Sequence, residues 1–140
     1  MMGTCIQQVF AAVCMCVVMT SQVSGQQSLT IADATTQGLS AFNTEVVLQS
    51  TGDTQGYVLA IGFDPSVLTA TNVSVEGSDV ESIGAELIAA EVLTEGMTLG
   101  VVLDAQSPFD GQVIPPGQSS VGVLSFTPAT VATSNLTTTL

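Results

Sequence analysis

Acid–base and cation chemistry in this chain can come only from carboxylates. Of 140 residues, twelve are Asp or Glu, none is Lys, Arg or His, and the formal charge is −12. Paired carboxylates can hydrolyse glycosidic bonds, one acting as acid and the other as base or nucleophile. Here the acids are scattered, and several, such as Glu45 and Glu76, occupy the polar positions of alternating runs, which is the pattern of a solvated strand face. There is no imidazole to shuttle protons, no ammonium for a Schiff base and no guanidinium to clamp phosphate. An enzyme is therefore not expected. The charge also disfavours nucleic acid and anionic headgroups. With no cationic side chain available, each carboxylate must stay solvated, accept hydrogen bonds or bind a cation.

Two acids are candidates for that last role. Asp104 and Asp110 flank a stretch with many carbonyls and could offer hard oxygens to calcium. The spacing is not that of an EF-hand loop, and the simpler reading is that both acids cap turns, Asp110-Gly111 being a turn dipeptide. No other cofactor is indicated. Sugar binding by stacking needs exposed aromatic rings, and the chain has no Trp. Phe42, Phe63 and Phe126 fall at core-facing strand positions, which leaves Tyr57 and the loop residue Phe109 as a sparse stacking pair. Asn72-Val-Ser and Asn135-Leu-Thr match the glycosylation acceptor pattern, which has meaning only in a eukaryotic host.

The elements that must position these residues begin after an export signal. Residues 9–19 are uninterruptedly apolar, and Val23-Ser24-Gly25 offers a small residue for cleavage. A bilayer about 30 Å thick needs roughly 20 apolar residues, so this run is too short to span it. Residues 1–25 thus read as a signal peptide, although no Lys or Arg precedes the apolar run. A buried strand or helix of the mature fold is the competing reading. Cys5, Cys14 and Cys16 all lie inside this segment, so a cleaved chain keeps no thiol for a disulfide or a metal. Residues 26–140 are long enough for one domain with a hydrophobic core. The expected destination is the outside of the cell or its surface, with no membrane span after cleavage.

From residue 28 onward the pattern has period two. Phe42, Val46 and Leu48 share one face of a strand, and Asn43, Glu45 and Gln49 the other. Tyr57, Leu59, Ile61 and Phe63 alternate with Val58, Ala60 and Gly62, which predicts a central strand. Asp64-Pro65-Ser66 reads as a tight turn, and residues 68–76 as another strand. Residues 85–93 have good helix propensity, with Ser78 and Glu81 spaced as a capping box. Gly96 and the alternating Met97, Leu99, Val101 and Leu103 favour a hairpin instead. The reading adopted is a strand. Residues 104–117 form a Pro- and Gly-containing loop, and residues 120–126 return to a strand. Residues 136–140 start a further strand that stops short, so the chain reads as a piece of a longer one.

Two stretches resemble a known family. GYVLAIGFDPSVLTATNVSVEG, with Asp64-Pro65-Ser66-Val67-Leu68 after an extended strand, is similar to the cohesin pattern. MTLGVVLDAQSPFDGQVIPPGQSSVGVLSFTP resembles the later part of cohesin-like repeats of exported bacterial proteins. The likeness covers about residues 28–140. It implies an antiparallel jelly-roll β-sandwich, shared with some cellulose-binding modules, whose last strand is incomplete here. In that family true cohesins bind calcium-loaded dockerin modules. The expected function is a non-catalytic protein-interaction module; a carbohydrate-binding module that takes polysaccharide, or a purely structural repeat of an exported wall protein, are the alternatives.

Overall fold

Alternating side chains set the layers. The computed structural model describes residues 15–17 and 27–129. In chain order the strands are β1 (Met15–Val17), β2 (Gln27–Ile31), β3 (Phe42–Ser50), β4 (Gly56–Gly62), β5 (Leu68–Ser74), β6 (Leu87–Val92), β7 (Gly96–Val102) and β8 (Gly117–Pro128). One short helix, α1 (Asp79–Ile83), lies between β5 and β6. The strands form two antiparallel sheets, ordered β1-β4-β7-β6 and β2-β3-β8-β5. The chain is all-β, as its period-two pattern implies.

The two sheets share one core. Val46 and Leu48 of β3, Leu59 and Ile61 of β4, Leu99 and Val101 of β7, and Leu124 of β8 are all buried. Each such side chain contributes roughly 1.5–3 kcal/mol of burial free energy before chain entropy is counted. The layers meet closely at Gly122, where a Cβ would stand 3.1 Å from Leu99 Cδ2. At one end the Phe126 ring stacks on Phe42 and meets Phe63 edge-on, with centroids 5.8 and 5.6 Å away. Both geometries suit the quadrupoles of aromatic rings.

One irregularity is built into β8. Val46 pairs with Gly122 but Val47 pairs with Ser120, so Val121 is an extra residue on that strand. Val121 and Gly122 are consecutive and both buried, which strict alternation forbids and a β-bulge permits.

The expected turns and hairpin are present. Asp64 Oδ1 accepts the Ser66 amide at 2.8 Å and the Ser66 hydroxyl at 2.6 Å, an Asx-type turn. The question at residues 85–93 resolves to a strand: β6 pairs along β7, and Leu93 N–H donates to Gly96 O at 2.8 Å. The helical signal is spent earlier, on α1. Its capping differs from the box expected, because the Ser78 hydroxyl donates to Val75 O while Glu81 Oε2 accepts the Gly77 amide. Gly84, at φ 87°, closes the helix in the left-handed region with its N–H on Val80 O.

Most of the proposed leader, residues 1–25, lies outside the described residues. Inside it, Met15–Val17 runs antiparallel to β4, with Met15 opposite Ile61 and Val17 opposite Leu59. β4 is therefore central, between β1 and β7. The strand expected at 136–140 lies outside the described residues. Among the described residues, no helix is long and apolar enough to cross a membrane.

Candidate interaction surface

Several of the acids accept backbone hydrogens. Asp104, which follows β7, accepts the Asp110 amide on Oδ1 at 3.1 Å and the Gly111 amide on Oδ2 at 2.9 Å. Glu86, just before β6, accepts the amides of Ala105 and Gln106 on Oε2 at 2.7 and 2.5 Å. Each contact puts an anion on backbone donors, the stronger class of hydrogen bond. Together they tie the 104–111 loop to the start of β6. The geometry of Asp104 is thus that of the turn cap, and among the described residues no three His, Cys, Asp or Glu gather as a metal cluster. Asp64 is held below its ordinary 3.8 by the hydroxyl and amide of Ser66.

The two stacking candidates part company. Tyr57 is only 4% exposed, so the reading that gave its ring to a sugar is corrected: the ring belongs to the core. It points inward with Leu59 and Ile61, and its hydroxyl donates to Val121 O on the opposite sheet. Burial pushes its phenol well above the usual value of 10.0. Phe109 is 71% exposed on the loop tied down by Asp104 and Glu86. It does not plug the end of the two sheets, and without Tyr57 it stands as a lone ring, not half of a platform.

Two side chains reach the backbone of β8 near its bulge. A bulge leaves backbone groups out of the ladder. Here Ser120 N–H donates to Asp79 Oδ2 of α1 at 2.8 Å, and Val121 O accepts from Tyr57. Asp79 of α1 and Tyr57 of the facing sheet thus each bond a backbone group of β8 at or beside the bulge.

A surface that the sequence reading did not single out is the outer side of β4, β7 and β6. The register places Gly56, Val102 and Leu87 in one cross-strand row and Val58, Gly100 and Ala89 in the next. A third row holds Ala60, Thr98 and Glu91. Val58 is 55% exposed and Leu87 53%. The face is apolar and small-residued, with Glu91 its one charge in those rows. The outer side of the other sheet is more polar, carrying Thr30, Asn43, Glu45, Gln49, Gln118 and Ser125 around the half-buried Val47 and Val123. The signal was present in the sequence: the alternate set of β4, Val58-Ala60-Gly62, is as apolar as the inward set.

No family model, curated protein or solved structure matches this chain.

Proposed function

We propose that the chain is a non-catalytic, exported interaction module of the cohesin-like kind, a jelly-roll β-sandwich that takes a protein partner on the outer face of β4, β7 and β6. The observation that carries this reading is the contrast between the two outer faces. One sheet offers solvent mainly Thr, Asn, Gln and Glu, with Val47 and Val123 half-buried among them, while the other leaves Val58, Val102 and Leu87 exposed around Gly100 and Ala89. An exposed apolar area made of neighbouring strands is the mark of a contact site. The carboxylates support the non-catalytic part, since Asp64, Asp79, Glu81, Glu86 and Asp104 all accept backbone or hydroxyl hydrogens of the fold.

The test is retention of the chain on an immobilised, calcium-loaded dockerin-type module at micromolar concentration, alongside insoluble polysaccharide. Retention on dockerin that is lost in Val58→Glu supports the proposal. Retention on polysaccharide that is lost in Phe109→Ala replaces it with the carbohydrate-binding reading, which the exposed Phe109 ring favours. Binding to neither leaves a structural repeat. Export is checked by the N-terminal sequence of the secreted product, with cleavage after residue 25 as the expected outcome.

A further inference from the structure

One peptide bond in this chain is chemically unlike the rest. Asp64-Pro65 is its single Asp-Pro pair, and it lies in the exposed turn that carries the chain from β4 of one sheet to β5 of the other. Proline makes a tertiary amide with no N–H, and its nitrogen, more basic than an ordinary peptide nitrogen, is the better leaving group in acid. The residue before it carries a carboxylate whose attack on its own main-chain carbonyl closes a five-membered ring. Carboxylates are established nucleophiles of this covalent kind.

The turn prepares both sides of such an attack. The Asp64 carbonyl oxygen accepts two amides, Val67 N–H and Leu68 N–H, each at 3.0 Å. Two backbone donors on one carbonyl oxygen stabilise the negative charge of a tetrahedral intermediate. The carboxylate is held as well, since Oδ1 takes the amide and the hydroxyl of Ser66. A side chain that reaches forward to the amide two residues on cannot stand anti to its own carbonyl carbon. Its Cγ is kept gauche to that carbon, the side from which Oδ2 can approach. Fixing the two reacting groups in one geometry lowers the entropic barrier. We propose that Asp64-Pro65 is a self-cleavage site, at which the fold promotes hydrolysis of its own chain in mild acid.

In the first step Asp64 Oδ2 bonds to the Asp64 carbonyl carbon, and the π pair of that carbonyl moves onto the oxygen held by Val67 and Leu68. Collapse re-forms the carbonyl and breaks the C–N bond. Its electron pair stays on the Pro65 nitrogen, which takes a proton from the acidic solvent. One water then opens the cyclic anhydride to two carboxyl groups at Asp64. The sum is one water added and one secondary amine released, so a chain without a cationic side chain gains an ammonium. Carboxylate plus proton has the composition of the neutral acid. The rate therefore rises as pH falls and levels off below the folded pKa of Asp64, which Ser66 holds beneath 3.8. Of the elements that meet this turn, the β6–β7 hairpin brings Glu95, whose carbonyl takes Phe63 N–H. The end of β8 brings the uncharged Thr127, Pro128 and Ala129.

The fold tolerates both the condition and the cut. Protonating the carboxylates relieves repulsion and strands no positive side chain, because none exists. The two pieces, 1–64 and 65–140, stay interlocked by the β3–β8 and β4–β7 ladders. The site does not depend on what the outer face of β4, β7 and β6 binds.

The test incubates the full chain at pH about 3.5, folded and in about 8 M urea, with circular dichroism reporting the fold. Mass spectrometry and N-terminal sequencing identify the pieces. The expected result is one cut with Pro65-Ser66-Val67 at the new N-terminus, masses that exceed the intact chain by one water, and a rate at least tenfold higher in the folded chain. Pro65→Ala restores an ordinary amide, and Asp64→Ser keeps a turn-capping oxygen without the carboxylate. Each should cut at less than a tenth of the wild-type rate. Ser66→Ala, which releases Oδ1 from the hydroxyl, should move the levelling-off to higher pH. A folded chain cut no faster than the unfolded one shows only the ordinary acid lability of the bond and overturns the proposal. So does cutting that persists in Asp64→Ser, cutting spread over other Asp bonds such as Asp110-Gly111, or a chain that is unfolded at this pH.

Discussion

Tyr57→Phe isolates a single atom in the contact between the sheets. Phe keeps the ring among Leu59, Leu99 and their neighbours and removes only the hydroxyl that reaches Val121 O. The Val121 carbonyl then loses that donor in a buried setting. A buried hydrogen bond is worth about 1 kcal/mol net, and an orphaned buried acceptor costs about 1–3 kcal/mol. A loss of about 2 kcal/mol follows, and in a domain near 100 residues this lowers Tm by roughly 8–16 °C. Differential scanning calorimetry of the two proteins measures it. The same hydroxyl gives a pH signature, because Tyr57 is the chain's one tyrosine. Its pKa is raised by folding, so its stabilising contribution is complete below the unfolded value of about 10 and is lost as pH climbs above that toward the folded value. The wild type should lose stability above pH about 10 by a component that Tyr57→Phe lacks, with no tyrosinate absorbance at that pH while the fold persists. A Tm change under about 2 °C, or tyrosinate forming near pH 10 in the intact protein, would falsify the reasoning.

Other substitutions probe the backbone contacts. In Gly56→Ala the new Cβ would sit 2.7 Å from Val101 O, a backbone atom that cannot swing aside; the expected cost is about 1–3 kcal/mol in a urea melt, and an unchanged midpoint would contradict the close approach. Asp64 has a folded pKa below its ordinary value, so its contribution is present above pH about 4 and is lost as pH falls through the folded value. Asp64→Asn should flatten that part of the acid dependence of Tm, and identical acid profiles would remove Ser66 as the cause. Asp104→Asn should speed amide exchange at Asp110 and Gly111 while changing global stability by less than about 1 kcal/mol. If millimolar calcium instead slows exchange across 104–111 in the wild type, Asp104 is a cation ligand and the turn-cap assignment fails.

Period-two patterning was enough to find β3, β4 and β7, and β-branched composition to find β5. Gly96 with the alternation after it was enough to override the helix propensity of residues 85–93. The fate of Tyr57 was also readable, since it shares parity with Leu59 and Ile61. It was misplaced because both faces of β4 are apolar, and parity alone does not say which face is inside when neither is polar. The bulge was not readable. Val121 and Gly122 look like an ordinary step in an apolar run, and only the register against Val46 and Val47 exposes the extra residue. Pairing of Met15–Val17 with β4 joins segments more than forty residues apart, and nothing in a local window reports that. The carboxylate caps were half legible: Asp104 near Asp110-Gly111 signalled a turn, whereas Glu86 reaching Ala105 depends on how β6 and β7 pair.

The three residues of β1 lie inside the segment read as a leader, so its removal would act on the sheet as well as on the protein's address. With β1 in place, Leu59, Ala60 and Ile61 of β4 have strand partners on both sides. Cleavage after residue 25 would take one of them away and leave β4 with β7 alone among the described strands. Backbone donors and acceptors of a strand backed by buried Leu59 and Ile61 would then face outward, the position that natural sheets take care to blunt. In this chain the step that releases the protein would also be the step that uncovers a strand.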